Sequence, residues 1–368
     1  MKITIMQGAF FPVPSLLGGA IEKAWEALGK EFAKLGHEVT HISRKFEALP
    51  QRSKDGNIEH IRVQGANACS NPFLLKLREL PYVLRARKHL PKADVLVTHT
   101  FWAPLLYPKE KYGKLYVHVG RYPKGQMGLY KKATVLQAPT QAIAQSIRNQ
   151  SSNLADKISV QPYPLSLPLP SEVSFEHKEK TILYVGRIHP EKGISELMRA
   201  WQKLKPNLKN GWKLKILGPW KQEQGGAGAQ YLKNLQKLIT EDGEIVDPIF
   251  DPAQLQKEYL KARIFAYPSL AEKGETFGLS VLEAMSAGCV PLLSKLECFQ
   301  DFAKDGSNAI FFDHRTSNRV EELTQKLSSA FANEENLPSL SKAALLTARK
   351  YDITQVAQRY IDDFSSIL

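Results

Sequence analysis

Two glutamates stand in a segment that is otherwise mostly apolar or small. The segment from Gly274 to Leu293 reads GETFGLSVLEAMSAGCVPLL, and Glu275 and Glu283 are eight positions apart in it. Carboxylates accept hydrogen bonds from hydroxyl groups, so the pair suits a ligand with two sets of hydroxyls. If both were helical, eight steps of about 1.5 Å would separate their Cα atoms by about 12 Å. We expect Thr276 to cap this helix and Gly288 to end it.

The start of this predicted helix is suited to an anion. The N–H groups of Phe277, Gly278 and Leu279 would lie at the positive end of the helix dipole, and the glycine would allow close approach. The distance of about 12 Å between the glutamates is roughly the span of a nucleotide diphosphate-sugar from ribose to sugar. Its phosphates would then lie at the helix start, with Glu275 accepting from sugar hydroxyls and Glu283 from ribose hydroxyls. The alternatives are a first-turn carboxylate that complements the dipole and a second carboxylate on a solvated face.

Two cations form a second candidate group. Arg187 and Lys192 lie in VGRIHPEKG, directly after the predicted strand TILYVG. Ligands of doubly wound sheets bind at the carboxyl ends of strands. A planar guanidinium and a point-like ammonium there suit a diphosphate. The alternative is an ordinary loop in which Glu191 is a local ion-pair partner.

The elements that must position these residues repeat one plan twice. The first half begins as strand, glycine loop, helix and strand, with KITIM, AIEKAWEALGKEFAKLG and HEVTHIS, followed by ADVLVTH, KLYVHVG and TVLQAP. Residues 161–180 then carry four prolines in their first ten positions, which neither a helix nor a central strand tolerates. The plan restarts after them. We therefore predict an α/β protein with domains at 1–163 and 180–351, a linker at 164–179 and a terminal helix at 352–368.

Composition limits the class of protein. With 368 residues, 43% hydrophobic and 24% charged, the chain fits two soluble globular domains. It has no apolar run long enough to span a membrane, and its first residues read as a strand rather than a signal peptide. Cys69, Cys289 and Cys298 are odd in number and widely spaced, which argues against a disulfide framework and for a reducing cytoplasm. No Cys/His cluster has zinc spacing.

The positive charge is confined to the first half of the chain. Residues 1–165 hold 24 Lys and Arg against 11 Asp and Glu, whereas residues 166–368 hold 26 of each. Such asymmetry indicates an anionic partner or simple solubility. Residues 71–92 mix aliphatic and aromatic side chains with cations that include Lys76, Arg78, Arg85, Arg87 and Lys88, as a segment lying on an anionic bilayer would. Pro81 interrupts this segment, so we do not expect one clean amphipathic helix, and a surface helix pair is the alternative.

VGRIHPEKG and YPSLAEKGETFGLSVLEAMSAGCVPLL together resemble the donor-binding signature of retaining glycosyltransferases of the GT-B fold, family 4 (glycosyl transferases group 1). The pattern E-x-F-G-x-x-x-x-E is complete, and the resemblance covers nearly the whole chain. It implies two Rossmann-like domains facing a central cleft. It also implies that the C-terminal helix packs back on the first domain.

The resemblance also implies roles in the second domain. Arg187 and Lys192 would bind the donor diphosphate. Glu275 would contact sugar hydroxyls, Thr276 to Leu279 would hold phosphate oxygens through the helix start, and Glu283 would bind the ribose. The base would lie near Ile249, in PIFDP, against main-chain groups.

In the first domain, the resemblance matches Gly18 and Gly19 to a glycine loop that approaches the donor phosphates or the acceptor. His118, in YVHVGRYPK, matches a position that meets the donor sugar. His99 and His41 are rival strand-end histidines. The resemblance thus implies His118, Glu275, Arg187 and Lys192 as catalytic residues.

The implied activity is transfer of a sugar, with retention, from a UDP- or GDP-type donor to a hydroxyl of a glycan or lipid-linked acceptor. The implied mechanism is front-face displacement, in which the acceptor proton moves toward the leaving phosphate. We expect no metal and no cofactor, because two cations face the phosphates and no Asp-x-Asp motif occurs. The expected location is the cytoplasm, with peripheral contact to the inner face of the membrane.

Three other functions stay open at this level. The first is a related GT-B enzyme, such as a sugar-nucleotide epimerase or a phosphorylase. The second is a sugar-nucleotide sensor without activity, and the third is a nucleic-acid-binding protein. No nucleic-acid-binding module is recognisable, and we expect no nucleic-acid partner.

Overall fold

The computed structural model describes residues 1–16, 19–47, 49–69, 71–107 and 110–368, and of Pro72 it describes only the backbone. These residues form two compact units. Unit 1 comprises Met1–Ser166 together with Ile353–Leu368, and unit 2 comprises Leu167–Asp352. The division between the units falls inside the proline-rich segment 161–180.

Unit 1 is built on an eight-stranded sheet in the order β3-β4-β2-β1-β5-β6-β7-β8. All neighbouring strands are parallel except β3 and β4, which are antiparallel. The strands are β1 (Lys2–Met6), β2 (Glu38–Arg44), β3 (Arg52–Asp55), β4 (Ile58–Val63), β5 (Val95–Thr98), β6 (Lys114–His118), β7 (Val135–Ala138) and β8 (Ile158–Val160). The helices are α1 (Ala20–Lys34), α2 (Pro72–Arg87), α3 (Gln141–Gln150) and, from the end of the chain, α11 (Ile353–Ser365).

The C-terminal helix belongs to unit 1 because its apolar face is covered there. The ring of Tyr360 lies 5.2 Å from that of Trp25 and 6.5 Å from that of Phe32, both on α1. All three side chains are fully buried. A hydrogen bond of 2.5 Å from Tyr116 to Asp363 also ties α11 to β6. Burial of large aromatic side chains stabilises by about 1.5–3 kcal/mol each, so α11 is part of the core of this unit.

Helix α2 differs from the prediction. A single helix runs through Pro81, whereas the sequence indicated an interruption there. Asn71 caps its start by accepting hydrogen bonds from the backbone of Phe73 and Leu74. Pro81 is exposed, so its ring meets solvent rather than a packed neighbour. No helix within the described ranges is both long enough and apolar enough to cross a membrane.

Unit 2 contains a six-stranded, all-parallel sheet in the order β11-β10-β9-β12-β13-β14. Its strands are β9 (Glu179–Val185), β10 (Lys213–Leu217), β11 (Gly243–Val246), β12 (Ala262–Tyr267), β13 (Val290–Ser294) and β14 (Ile310–Phe312). Its helices are α4 (Ile194–Lys203), α5 (Pro206–Lys209), α6 (Ala229–Gln236), α7 (Pro252–Lys261), α8 (Leu279–Ser286), α9 (Arg319–Ala332) and α10 (Leu337–Arg349).

The strand order of unit 2 reverses between β9 and β12. Strands β10 and β11 follow β9 on one side, and β13 and β14 follow β12 on the other. The loops after β9 and β12 therefore lie side by side at the edge where open α/β sheets bind ligands. Gly193 allows their contact: it has φ 67°, and a Cβ there would lie 2.0 Å from the Pro268 carbonyl oxygen. Only glycine fits this position.

Candidate functional site

Arg187 lies directly after β9 and is held by protein groups. One guanidinium nitrogen lies 2.8 Å from Glu191 Oε1, and another donates to the carbonyl of Gly225 at 2.9 Å. The side chain is 43% exposed. The structure therefore shows the local ion pair that the sequence left as an alternative. The guanidinium also lies against the glycine-rich loop after β10, at the carboxyl edge of the sheet.

Lys192 and Glu275 meet at this edge. Lys192 Nζ lies 2.6 Å from Glu275 Oε2, and the Tyr267 hydroxyl donates to the same oxygen at 3.0 Å. The Lys192 side chain is 6% exposed and that of Glu275 is 12% exposed. Burial, reinforced by the neighbouring carboxylate, raises the pKa of Tyr267 well above its usual value, so the hydroxyl keeps its proton and donates. The loops after β9 and β12 thus converge on one buried carboxylate.

Helix α8 starts later than the sequence predicted. Gly278, with φ 87°, is its N-cap residue, and no side chain caps it, so the proposal of Thr276 as cap is wrong. The Gly278 carbonyl accepts from Val281 at 3.0 Å, which closes the first turn without a side-chain cap. Glu275 is therefore outside the helix, and helical rise does not set its distance from Glu283.

The start of α8 is fixed by packing. The Phe277 side chain is buried, with its ring 5.7 Å from that of Phe302 and 6.1 Å from that of Tyr351. A Cβ on Gly278 would lie 2.4 Å from the Phe299 ring. The first N–H groups of a helix have no intrahelical acceptor, so a backbone held in this way can present them to an anion.

The end of α8 agrees with the prediction. Gly288 follows the C-cap in a left-handed conformation, with φ 72°. Its N–H bonds to the Met285 carbonyl, and the next N–H, of Cys289, bonds to that of Ala284. These two bonds are the Schellman arrangement that glycine supports.

Glu283 is buried within α8. Glu283 is only 8% exposed, so the alternative that it lies on a solvated helix face is wrong. Its Oε2 accepts a hydrogen bond from the Tyr259 hydroxyl, on α7, at 3.1 Å. Burial and the carboxylate raise the pKa of Tyr259 well above its usual value, so this hydroxyl stays a donor. The two oxygens of a carboxylate carry about four lone pairs, so Glu283 can accept from donors in addition to Tyr259.

Ile249, predicted to lie near the base, follows the carboxyl end of β11 and precedes α7. It is half-buried. Asp251 caps α7 by accepting from Gln254 at 2.8 Å, which fixes the end of this loop. The structure thus places Ile249 at the same edge of the sheet as Arg187, but on the outermost strand of that side.

A salt-bridged cluster holds the loop that carries Glu275. Glu272 Oε1 lies 2.8 Å from His314 Nε2 and 2.8 Å from Arg315 Nε. His314 is buried and follows β14. The loop after β12 is therefore anchored to the loop after β14, three residues before Glu275.

The glycine loop of unit 1 is only partly described. Gly18 lies outside the described residues. Gly19 is the N-cap of α1 and has φ 99°. A Cβ on it would lie 2.5 Å from a Glu22 carboxylate oxygen. A buried carboxylate, rather than a cation, therefore lies against this glycine.

His118 is enclosed at the end of β6. It is 3% exposed, its Nδ1 hydrogen-bonds to Gln137 Oε1, and its Nε2 lies 2.7 Å from the Tyr163 hydroxyl. Burial lowers the pKa of His118 to about 3, so the ring is neutral. A neutral ring that donates from Nδ1 and accepts at Nε2 satisfies both contacts. A sugar hydroxyl would have to displace Tyr163 to reach it.

His99 lies closer to a charge than His118 does. Its Nε2 is 3.4 Å from Glu22 Oε1, and its side chain is 10% exposed. Burial raises the pKa of Glu22, but His99, a backbone hydrogen bond and the charge of Arg121 together bring it below its ordinary value. The third histidine, His41, stacks on His60 at 5.3 Å and is fully buried. Burial lowers its pKa to about 3.

Sequence reasoning missed the partners of the predicted residues. Tyr267 and Tyr259 donate to the two glutamates, and Glu22 faces the glycine loop. Tyr267 is the last residue of β12, so its place at a strand end was a usable signal. Tyr259 and Glu22 lie inside helices and carry no such signal. No group of three or more His, Cys, Asp or Glu side chains in the described part of the chain is arranged to hold a metal ion.

Comparisons with solved structures show the fold. The chain aligns over 100% of its length with sucrose-phosphate synthase from Thermosynechococcus elongatus, covering 99% of that chain, with TM-score 0.81 and 17% identity. It aligns with Anabaena HepE in complex with UDP over 100% of both chains, with TM-score 0.71 and 17% identity. The chain has the GT-B fold. This confirms the fold that the sequence motifs of unit 2 predicted.

Sequence comparisons locate the likeness in unit 2. Residues 169–346 match the family model of glycosyl transferases group 1. A lipopolysaccharide 1,2-N-acetylglucosaminetransferase of Salmonella typhimurium is 29% identical over 52% of this chain and 50% of its own length. A GDP-mannose:cellobiosyl-diphosphopolyprenol alpha-mannosyltransferase of Xanthomonas oryzae is 28% identical over 51% of this chain and 47% of its own. The chain spans about half the length of the curated relatives it matches.

Proposed function

We propose that this GT-B protein is a retaining glycosyltransferase that moves a sugar from a nucleotide diphosphate-sugar to an acceptor hydroxyl. The observation that carries the proposal is the contact of Lys192 with Glu275 at the switch point of the unit 2 sheet. The start of α8 follows within four residues, and Glu283 lies buried beyond it. A cation and a helix start suit a diphosphate, and two carboxylates suit the hydroxyls of the sugar and of the ribose.

The donor would be held at its diphosphate, with the sugar bound on one side of it and the nucleoside on the other. The diphosphate would lie against Lys192, Arg187 and the N–H groups at the start of α8. An ammonium has three N–H donors, so its pairing with Glu275 leaves capacity for phosphate oxygens. Glu275 would accept from the sugar and Glu283 from the ribose. UDP in the HepE complex and GDP-mannose in the name of the Xanthomonas enzyme support a UDP- or GDP-type donor.

The transfer step would form one bond and break one. The acceptor oxygen bonds to the anomeric carbon on the face from which the phosphate oxygen leaves, and its proton passes to that phosphate oxygen. The protein's task is to stabilise the negative charge that develops on the leaving diphosphate. We propose that Lys192, Arg187 and the dipole of α8 perform that task, without a metal or a cofactor.

The acceptor class is proposed from the relatives and from unit 1. The names of two relatives specify lipopolysaccharide and a diphosphopolyprenol. We propose a glycan or lipid-linked acceptor of polysaccharide biosynthesis for this chain as well. Its excess of cations in residues 1–165 suits such an anionic substrate.

Helix α2 supports peripheral contact with the cytoplasmic face of a membrane. Phe73 is 71% exposed, Leu77 46% and Leu84 44%, and the intervals of four and seven residues place them on one side of the helix. Arg78 and Arg85 are also exposed on α2. Exposed apolar side chains flanked by cations are typical of helices that lie on anionic bilayers. Absence of cosedimentation with anionic liposomes at low salt would contradict this contact.

The test of the proposed function has two stages. A thermal-shift screen of UDP, GDP, ADP and their sugars should show stabilisation by at least one nucleotide. Transfer with that donor, followed by proton NMR of the product, should then show the donor's anomeric configuration retained and activity that survives EDTA. Hydrolysis or epimerisation of the donor without transfer would favour the related GT-B activities. An inverted product would contradict retention.

A further inference from the structure

A second group of cations lines a cavity in unit 1. The cavity has a volume of about 280 Å³. Four of its eight lining residues are lysine or arginine, and none is acidic. The basic pocket, as we call it, is lined by Lys45, Gln51, Arg62, Val63, Gln64, Arg85, Lys88 and His89.

The basic pocket lies where two strands and a helix end. Lys45 directly follows β2, and Arg62 is the second-last residue of β4. Arg85 lies in the last turn of α2, and Lys88 is its C-cap residue. Cations at a helix C-terminus complement its dipole, which alone would account for the residues from α2. Complementing the dipole of α2 does not account for Arg62 or Lys45, which lie at the ends of strands.

Arg62 is a buried cation in the lining of the basic pocket. It is 3% exposed, and its guanidinium donates to the carbonyls of Val13 at 3.3 Å and Pro50 at 2.8 Å and to the Ser53 hydroxyl at 3.0 Å. All three acceptors are neutral, and within the described ranges no ion pair to a carboxylate supplements them. Burial also lowers the pKa of Arg62. A buried cation without a counter-charge is costly, and an anion in the cavity would offset that cost.

We propose that the basic pocket binds a phosphate group of a ligand other than the sugar donor. Arg85 and Arg62 supply planar donors, and Lys88 and Lys45 supply point charges. The volume is below the roughly 300–1,000 Å³ of pockets that enclose drug-sized ligands, so an ionic group fits better than a whole nucleotide-sugar. The phosphate belongs either to a soluble phosphorylated compound or to a lipid headgroup. The proposal does not depend on the donor site, whose diphosphate ligands lie in unit 2.

The first test titrates inorganic phosphate, at constant ionic strength, into the wild type and into the double variant R85A/K88A by calorimetry. Both residues are exposed, so the variant should fold. Phosphate bound in unit 2 contributes equally to both proteins. We expect binding at this site to weaken roughly thirtyfold, since each cation is worth a factor of about five. The control K131A/K132A removes two exposed lysines of unit 1 away from the pocket and should bind as the wild type does.

Equal phosphate binding by the wild type and R85A/K88A would overturn the proposal. If R85A/K88A does not fold, Lys45→Ala tests the same pocket at the end of β2 without altering α2. Nucleotide binding provides a separate readout. It should be unchanged in these variants, so failure of the proposed function and failure of this proposal are distinguishable.

A second test separates the two sources of phosphate. Vesicles of phosphatidylcholine, with and without phosphatidic acid, are sedimented with the wild type, R85A/K88A and L77S/L84S. For a lipid source, R85A/K88A loses binding to phosphatidic acid vesicles, and L77S/L84S loses it too while keeping its affinity for free phosphate. For a soluble source, only the binding of free phosphate depends on Arg85 and Lys88. If neither vesicle binding nor phosphate binding depends on them, the proposal is wrong.

Discussion

Lys192 Nζ lies 2.6 Å from Glu275 Oε2, and the Tyr267 hydroxyl shares the same carboxylate oxygen. The two charged residues are 83 positions apart in the chain. Sequence reasoning gave them different roles: the lysine was expected to bind the diphosphate, and the glutamate was expected to contact the sugar. The structure shows that each is also the other's counter-charge. Because Lys192 is buried and Glu275 is only 12% exposed, removal of either leaves an unpaired, poorly solvated charge at the site.

The pair predicts a strong energetic coupling. Lys192→Met should lower the free energy of unfolding by about 3–5 kcal/mol, because the Glu275 carboxylate loses its counter-charge in a poorly solvated place. The double variant K192M/E275Q should recover at least about 1 kcal/mol of this loss, since no unpaired charge remains. Urea denaturation of the wild type, both single variants and the double variant measures the coupling. If the losses of unfolding free energy in the two single variants add up to the loss in the double variant, the ion pair does not form in solution.

Glu275 should matter for transfer more than for nucleotide binding. Glu275→Gln keeps the shape of the side chain and removes the charge that pairs with Lys192. The lysine should then interact at least as well with a diphosphate, so nucleotide affinity should be unchanged or tighter. The transfer rate should fall roughly a hundredfold, as when one preorganised polar contact is lost from an active site. Steady-state kinetics with calorimetric nucleotide binding checks this, and an unchanged rate would remove Glu275 from the reaction.

Acid should destabilise unit 1 through its buried histidines. The pKa of His41 and of His118 is about 3 in the folded protein because of burial, whereas an unfolded histidine titrates near 6.5. Below about pH 6.5 the unfolded chain therefore binds more protons than the folded one, and stability falls as pH falls toward 3. The stabilisation is complete above about pH 6.5, and each histidine contributes a slope of at most about 1.4 kcal/mol per pH unit below it.

This prediction is checked by denaturant unfolding of the wild type and His41→Gln between pH 7 and 4. Stability should fall more steeply with acid in the wild type, because the variant lacks one of the two groups. Equal slopes would contradict a buried, neutral His41. Gln137 and Tyr163 make the same experiment less clean at His118, since they bond directly to its ring.

Local signals in the sequence predicted one end of α8 correctly. Gly288 follows a helix end in a left-handed conformation, as glycine at that position predicts. The other end of α8 was predicted wrongly. Thr276 has the chemistry of a cap, but packing of Phe277 and Phe299 selects Gly278 instead. Tertiary packing therefore overrides the local capping preference at the start of the helix that the site depends on.

The partners of the site residues were not predictable from spacing. Tyr259 and Glu283 meet across two helices, 24 positions apart. Glu272, His314 and Arg315 meet across two loops that follow different strands. Such contacts depend on strand order, which a single sequence does not specify. The proposed site residues were chosen from local sequence patterns, whereas the contacts between them are visible only in the fold.

The central claim is that Glu283 and the start of α8 hold a nucleotide, and calorimetric titration of UDP and GDP tests it most directly. Glu283→Gln keeps the hydrogen bond from Tyr259 but loses the charge, and the exposed Glu241→Gln is its matched control in unit 2. We predict that at least one nucleotide binds the wild type and E241Q equally. We predict that E283Q binds this nucleotide at least about tenfold more weakly than the wild type does. The reason is the loss of charge-assisted hydrogen bonds to the ribose. No nucleotide binding to the wild type, or equal binding to E283Q, would contradict the account.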